Sequence, residues 1–324
     1  MAILNNTPDI KKHVAVAKSF VFEDLQPYIL KAVNKFTRKY VGNLHIILAD
    51  PATEGANMAV LNEARDYLQA ALANFGMYLY TPVGSIMIDG SGMSTSTSDN
   101  RASLSWGQKK DIQREFLSAG HEAMDLLLAC MEGTPAAFPA WVASMQYTQN
   151  KELLVNNTAT FNKYYNIYES RQTYLALQPA IRQVEDQYLS TLLCPELITF
   201  LKNSALTNAQ LQVKENLQKA IVAYTIAKVA DEGIFSIDAA SIKLKFDVLP
   251  DDKVQSPDAG KPADWLTNTV KKQTANGNNY LDTVVKIITA NISQFNQCSV
   301  PIIVANAAAA PAWEPYNTQS TLGL

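Results

Sequence analysis

The chain echoes itself. Leu4-Asn5-Asn6-Thr7 returns as Val155-Asn156-Asn157-Thr158, and Leu25-Gln26-Pro27-Tyr28-Ile29 returns as Leu177-Gln178-Pro179-Ala180-Ile181. Leu68-Gln69-Ala70-Ala71 returns as Leu217-Gln218-Lys219-Ala220. Gly84-Ser85-Ile86-Met87-Ile88-Asp89 returns as Gly233-Ile234-Phe235-Ser236-Ile237-Asp238, and Gly120 and Asp125 match Gly277 and Asp282. The offsets are 151, 152, 149, 149 and 157, so the echoes keep their order and nearly their spacing. A serial echo of this kind implies two similar units in tandem, and two similar surfaces in one chain are a plan for assembly before they are a plan for catalysis. The expected division is residues 1–150, residues 151–298 and an extended C-terminal arm, 299–324. A length of 324 residues suits two domains, each large enough to bury its own core.

Each unit reads as four elements. A short lead-in carries Asn-Asn-Thr, with Thr7 or Asp9 as the expected cap of a first short helix. A helix follows over about 23–41 and 171–193. Its stripe is Leu25, Ile29, Ala32, Val33, Phe36 and Tyr40 in the first copy, and Leu177, Ile181, Val184, Tyr188 and Leu192 in the second. Pro27 and Pro179 suit a first turn, which places the helix starts nearer Asp24 and Ala176.

A long helix comes next, over about 56–81 and 206–231. Leu61, Ala64, Leu68, Ala71, Leu72, Phe75 and Leu79 line its first copy, and Leu211, Leu217, Ile221, Tyr224 and Val229 its second; Asn203-Ser204 or Thr207-Asn208 supplies the second cap. Short strands then form a hairpin in each unit. The fourth element is a helix over about 107–132 and 263–296, with Trp106 and Trp265 at the starts. Ile112, Phe116, Ala119, Ala123, Leu126, Leu127 and Cys130 form the expected face of the first copy, and Val270, Leu281, Val284, Val285 and Ile288 that of the second. The fold class is therefore mainly α (α+β): two tandem, duplicated helical-bundle units, each with a small β-hairpin, plus the arm.

The hairpins cannot supply a core alone, so Ile86, Ile88, Phe235 and Ile237 are candidate partner-binding residues. The arm has an apolar run that suits strand addition to a neighbour. Ile302, Ile303 and Val304, with Trp313, Tyr316 and Leu324 beyond them, are its candidate docking residues. The alternative is an arm that packs on its own subunit.

Charge and motif content exclude more than they suggest. Net charge is −3, with 13 basic and 15 acidic side chains in residues 1–152 and 14 and 15 in the rest, so neither half has the footprint of a nucleic-acid binder. The N-terminus lacks the pattern of a signal peptide, and no apolar run approaches the ~20 residues of a membrane span. Cys130, Cys194 and Cys298 are scattered and odd in number, and read as reduced, buried thiols.

His121 and Asp125 share a helix face at i, i+4, but a metal needs further ligands, and the counterpart of His121 is Asn278. A core-edge or solvated histidine is the better reading. No nucleophile elbow, phosphate loop or dinucleotide fingerprint occurs. Glu185-Asp186 and Asp251-Asp252 read as solvated pairs. Lys109-Lys110 and Lys271-Lys272 read as solvated helix faces, with a phosphate or acidic-partner contact as the alternative. No enzyme activity, cofactor or metal is expected.

Two stretches carry a family resemblance. They are Glu169-Ser170-Arg171 through Tyr174-Leu175-Ala176-Leu177, Pro179, Ile181-Arg182, Val184-Glu185-Asp186 and Tyr188, and Ala119-Gly120-His121-Glu122-Ala123-Met124-Asp125-Leu126-Leu127 with Phe138-Pro139 and Trp141. They resemble an uncharacterised protein family of phages and prophages of Bacteroidota, encoded in the structural gene cluster, over most of residues 1–298. The unit pattern, with Ile10-Lys11 and Pro27-Tyr28-Ile29, is also similar to head–tail connector (adaptor) proteins of tailed phages.

That resemblance implies a virion structural protein of the neck, made in the bacterial host cytoplasm. It would form a homo-oligomeric ring that docks on the portal and on other neck or tail proteins, with DNA only as passing cargo and no membrane partner. A twelve-fold ring would follow from the connector analogy alone. The near-neutral charge is compatible with a channel through which DNA slides. The alternatives are an assembly or scaffolding module absent from the particle and, more remotely, a nucleic-acid or cell-wall enzyme, for which His121 is the only candidate residue.

Overall fold

The computed structural model describes residues 3–17, 19–49, 57–84, 86–89, 92–95, 105–203, 205–232, 235–237, 242–244 and 264–298. The protein is mainly helical and divides into two compact units. Among the described helical residues, the first unit takes in the chain up to Asn150 and the segment Glu169–Leu175. The second takes in Lys151–Tyr168 and the helices from Ala176 onward. A clean break at 150 is therefore incomplete, because Leu175 packs on the core of the first unit.

The first unit opens with α1, Thr7–Lys11. Its cap is Asn6, not Thr7 or Asp9: Asn6 Oδ1 accepts from the Asp9 amide at 2.9 Å, and the Asp9 carboxylate accepts from the Asn5 amide at 3.1 Å. Next, α2 (Phe22–Ala32) runs through a π-helical turn, Val33–Thr37, into α3 (Arg38–Val41). Gly42 ends it at φ +57°, a conformation that glycine adopts without strain, and α4 (Leu44–Ile47) follows. The two long helices are α5 (Met58–Tyr80) and α6 (Trp106–Gly133), packed on each other, with α2 packed on α5. After α6 come a 3₁₀ turn, Pro135–Ala137, then α7 (Pro139–Val142) and α8 (Met145–Lys151). Leu25, Leu68, Leu72, Phe75, Met124 and Leu127 are fully buried where these helices meet.

The second unit is built from α9 (Thr158–Tyr164), α10 (Arg171–Val184) from Ala176 onward, α11 (Ser190–Leu192), α12 (Pro195–Asn203), α13 (Asn208–Glu232) and α14 (Asp264–Ala290). A π-helical turn, Glu185–Leu189, separates α10 from α11. Asn157 caps α9 and accepts from the Thr160 amide at 2.7 Å. Thr207 precedes α13 and pairs reciprocally with Gln210 through backbone and side chain. α13 packs on both α14 and α9. α14 ends at Ala290, short of the expected 296, and a 3₁₀ turn at Ile292–Gln294 follows.

The same local devices occur in both units. Each proline lies inside its helix, six residues ahead of the π-helical turn: Pro27 before Val33 and Pro179 before Glu185. The first-turn placement is thus corrected, since α2 starts at Phe22 and α10 at Arg171. Phe36 stacks on Phe75 (4.3 Å, 12°), and Tyr188 stacks on Tyr224 (3.9 Å, 4°). A Cβ on Gly120 would stand 2.6 Å from Phe75, and one on Gly277 would stand 2.6 Å from Tyr224. Gln69 Nε2 donates to the Ile3 carbonyl at 2.7 Å, and Gln218 Nε2 donates to the Leu154 carbonyl at 3.0 Å.

Two apolar faces differ from their reading in the sequence. In α6 the buried residues are Lys110, Leu117, Gly120, Ala123, Met124, Leu127, Leu128 and Met131, while Leu126 is exposed. Apolar side chains on two sides of α6 left the phase of its stripe ambiguous. In α13, Leu211 is exposed and its neighbour Gln210 is buried, because Gln210 Nε2 donates to the Gln294 carbonyl at 2.7 Å.

Four short strands lie among the described residues: β1 (Ile86–Asp89), β2 (Gly92–Thr95), β3 (Phe235–Ile237) and β4 (Ile242–Leu244). β1 and β2 run antiparallel with Ile86 opposite Thr95.

Candidate functional site

The expected docking residues of the arm, Ile302, Ile303, Val304, Trp313, Tyr316 and Leu324, lie outside the described residues. The strands carrying Ile86, Ile88, Phe235 and Ile237 are described only in their backbone. The polar and aromatic groups that can be placed fall into three clusters.

The first cluster surrounds His121 on α6. Its ring meets the edges of Phe75 and Phe36, with centroids at 5.0 and 6.1 Å. Gln172 brackets it: Gln172 Nε2 donates to the His121 carbonyl at 2.9 Å, which turns Gln172 Oε1 towards His121 Nδ1 at 2.8 Å. With an acceptor facing it, Nδ1 carries the ring proton. The Gln172 amide donates to Asp125 Oδ1 at 3.0 Å, and Arg171 Nε donates to Glu132 Oε2 at 3.0 Å. Asp125 therefore caps the first turn of α10 across the tertiary contact. His121 and Asp125 share a face as their spacing implies, and both serve to hold the 169–175 segment. Tyr168 and Glu169, at its start, adopt φ of 55° and 54°, strained for non-glycine residues.

The second cluster is the start of α6. Ser105 and Gln108 form a reciprocal cap. Trp106 is 68% exposed, and Lys110 Nζ lies 4.0 Å from its ring centroid. Lys110 itself is buried, so the solvated reading of the Lys109-Lys110 pair fails at Lys110. The i, i+4 spacing of Trp106 and Lys110 was the available signal. In α14, Lys271 and Lys272 are exposed.

The third cluster lies in the second unit. Glu185, read as solvated, is buried; its carboxylate accepts from the Leu154 amide and pairs with Lys202 Nζ at 3.0 Å. Asp186 is exposed, as expected of it. Cys194 and Cys298 form a disulfide across a sequence separation of 104 residues, which corrects the reading of three reduced thiols. Cys130 is free, and burial pushes its thiol above the usual range. Among the described residues, no three His, Cys, Asp or Glu side chains gather as a metal-ligand set. No helix among them is long and apolar enough to cross a membrane.

Residues 30–151 match the model of a family of unknown function, DUF6712. The match starts inside α2 and stops at the end of α8. No curated protein and no solved structure matches the chain.

Proposed function

We propose that the chain is a tandem duplication of one helical unit and serves as a virion structural protein of a tailed phage. In this reading it is a head–tail connector, or neck, component that forms a ring and docks on the portal. One observation carries the reading: the same packing device recurs in both units at nearly the sequence offset of the echoes. The stacked rings Phe36/Phe75 and Tyr188/Tyr224 each have a helix glycine against them, Gly120 and Gly277, and each unit has its π-helical turn six residues after an internal proline. Two alike units in one chain present two alike surfaces, which suits repeated contacts in a closed assembly. The family match over residues 30–151, confined to one unit, is compatible with a unit that also exists singly.

The exposed Trp106 ring and the arm residues Trp313 and Tyr316 are the proposed anchors, because large aromatic side chains carry much of the energy of protein interfaces. The test is co-purification with the portal protein of the same gene cluster, followed by native mass measurement and negative-stain imaging. A ring-shaped complex is expected, and deleting residues 307–324 should abolish docking while leaving the circular dichroism spectrum unchanged. A strict monomer with no affinity for the portal overturns the reading.

A further inference from the structure

Cys194 immediately precedes Pro195, the first residue of α12, a helix of nine residues. Its sulfur takes the place of a capping oxygen: Cys194 Sγ accepts from the Leu197 amide at 3.4 Å. A sulfur so placed gains from the amide and from the helix dipole whenever it bears negative charge. Cys298 sits beyond the 3₁₀ turn Ile292–Gln294, in a segment with its own anchors. Phe295 is buried, Thr207 Oγ1 donates to Gln294 Oε1 at 2.7 Å, and Gln210 Nε2 donates to the Gln294 carbonyl at 2.7 Å. Those contacts hold the segment that leads into Cys298 independently of the disulfide. Both cysteines are half-buried. Cys130 is a poor competitor, because its sulfur faces the Val60 carbonyl at 3.9 Å and burial favours the neutral thiol.

We propose that Cys194–Cys298 is a reversible exchange site for low-molecular-weight thiols and disulfides, with Cys194 as the thiolate that leaves on opening and attacks on closing. On opening, an external thiolate attacks Cys298 Sγ, the Sγ–Sγ bond breaks, and Cys194 departs with the electron pair and later takes a proton from water. A second external thiolate then attacks the external sulfur of the mixed disulfide and frees Cys298. The sum is one protein disulfide and two thiols giving one protein dithiol and one small disulfide. Closing is the reverse, with Cys194 thiolate attacking Cys298 Sγ in the mixed disulfide and expelling the small thiolate. Departure of the better-stabilised thiolate sets the direction of attack. The bond ties Cys298, the residue before segment 299–324, to the start of α12. This assignment is independent of the connector reading.

The test uses the full chain in glutathione buffers of graded ratio, quenched by acid and alkylation and read by peptide mass spectrometry. The pair should interconvert completely within that range, with the trapped glutathione adduct on Cys298. After full reduction, Cys194 should alkylate about ten-fold faster than Cys298 at neutral pH. The same ratio should hold between the Cys298→Ser and Cys194→Ser variants; the measurement on the reduced wild-type chain does not depend on how those variants fold. An adduct on Cys194, equal alkylation rates, or a pair inert at every ratio overturns the proposal.

Discussion

Replacing Gly120 by alanine should destabilise the first unit, against the helix propensity of the two residues. Alanine is favoured over glycine in a helix interior by about 1 kcal/mol. At Gly120, however, the new Cβ would stand 2.6 Å from Cδ1 and Cε1 of Phe75 and 3.1 Å from Cγ. That is about 1 Å inside an optimal carbon–carbon contact. Phe75 has little room to retreat: it is fully buried, stacks on Phe36 at 4.3 Å and has the His121 ring at 5.0 Å. Overpacking of a tight core costs about 1–3 kcal/mol, and this rigid contact belongs at the upper end. Less the propensity gain, the net loss is about 2 kcal/mol.

With two units, a single global unfolding curve is a poor reporter, so the assay is hydrogen exchange resolved by peptide. Core amides of α5 and α6 should exchange about 30-fold faster, with α13 and α14 unchanged. Gly107→Ala is the control, since nothing lies within 4 Å of its Cβ; it should be neutral or mildly stabilising. Adding Phe75→Leu to Gly120→Ala should cost less than the sum of the two single changes, because the smaller side chain relieves the overlap. Unchanged or slower exchange in Gly120→Ala would refute the reasoning.

The equivalent change, Gly277→Ala, should cost at least as much in the second unit, since its Cβ would meet Tyr224 at 2.6 Å and strain the 2.6 Å hydrogen bond from the Tyr224 hydroxyl to Asn278; exchange in α13 and α14 reads it, and protection equal to wild type counts against it. Lys202→Met leaves the buried Glu185 carboxylate without its cation and should cost about 3 kcal/mol, seen as faster exchange of core amides in the second unit, whereas unchanged protection there would show the pair to be idle. Reducing Cys194–Cys298 removes a cross-link over 104 residues, with a chain-entropy ceiling of about 4.7 kcal/mol; the second unit should lose exchange protection and the first should not. Burial holds the hydroxyls of Tyr188 and Tyr224 above the usual tyrosine range, so their contribution is complete below pH about 10 and is lost as the pH rises further. Tyr224→Phe should flatten the alkaline limb of the second unit's denaturant midpoint, read peptide by peptide and plotted against pH, and an unaltered limb would place the loss elsewhere.

Local pattern made the long helices legible, while the fine placement of groups depended on distant partners. The stripe Leu25, Ile29, Ala32, Val33, Phe36 and Tyr40 is buried throughout, because one apolar face runs through α2, the π-helical turn and α3 and meets α5 and, at Phe36, His121 of α6. The π-helical turn within that stripe leaves no mark in the apolar spacing. The prolines misled because the first-turn rule ignores packing: α2 keeps Pro27 at its sixth residue, where burial of Phe22 and Leu25 sets the start of the helix. Glu185 looked solvated beside Asp186, and only Lys202, 17 residues on, and the Leu154 amide make its burial tolerable. The disulfide was invisible for the same reason, since sequence spacing says nothing about a bond closed across 104 residues. Leu126 and Leu211 looked like core positions, yet both are exposed, and at Leu211 a buried glutamine takes the inward place.

The position after each pinning glycine differs between the units in step with the ring beside it. In the first unit the pinned ring is Phe75, which has no polar tip. The next residue, His121, is therefore free to set its ring against Phe75 and Phe36 and turn Nδ1 to Gln172. In the second unit the pinned ring is Tyr224, whose hydroxyl is taken out of water and needs an acceptor. Asn278 supplies one at 2.6 Å from the position that His121 holds in the first unit. A phenylalanine at 224 would remove that bond and leave the exposed Asn278 amide to water. Phe75 with His121, and Tyr224 with Asn278, are thus matched pairs. On the proposed duplication the two copies diverged in pairs of this kind, so the glycine and the ring stack persist while the residues around them do not.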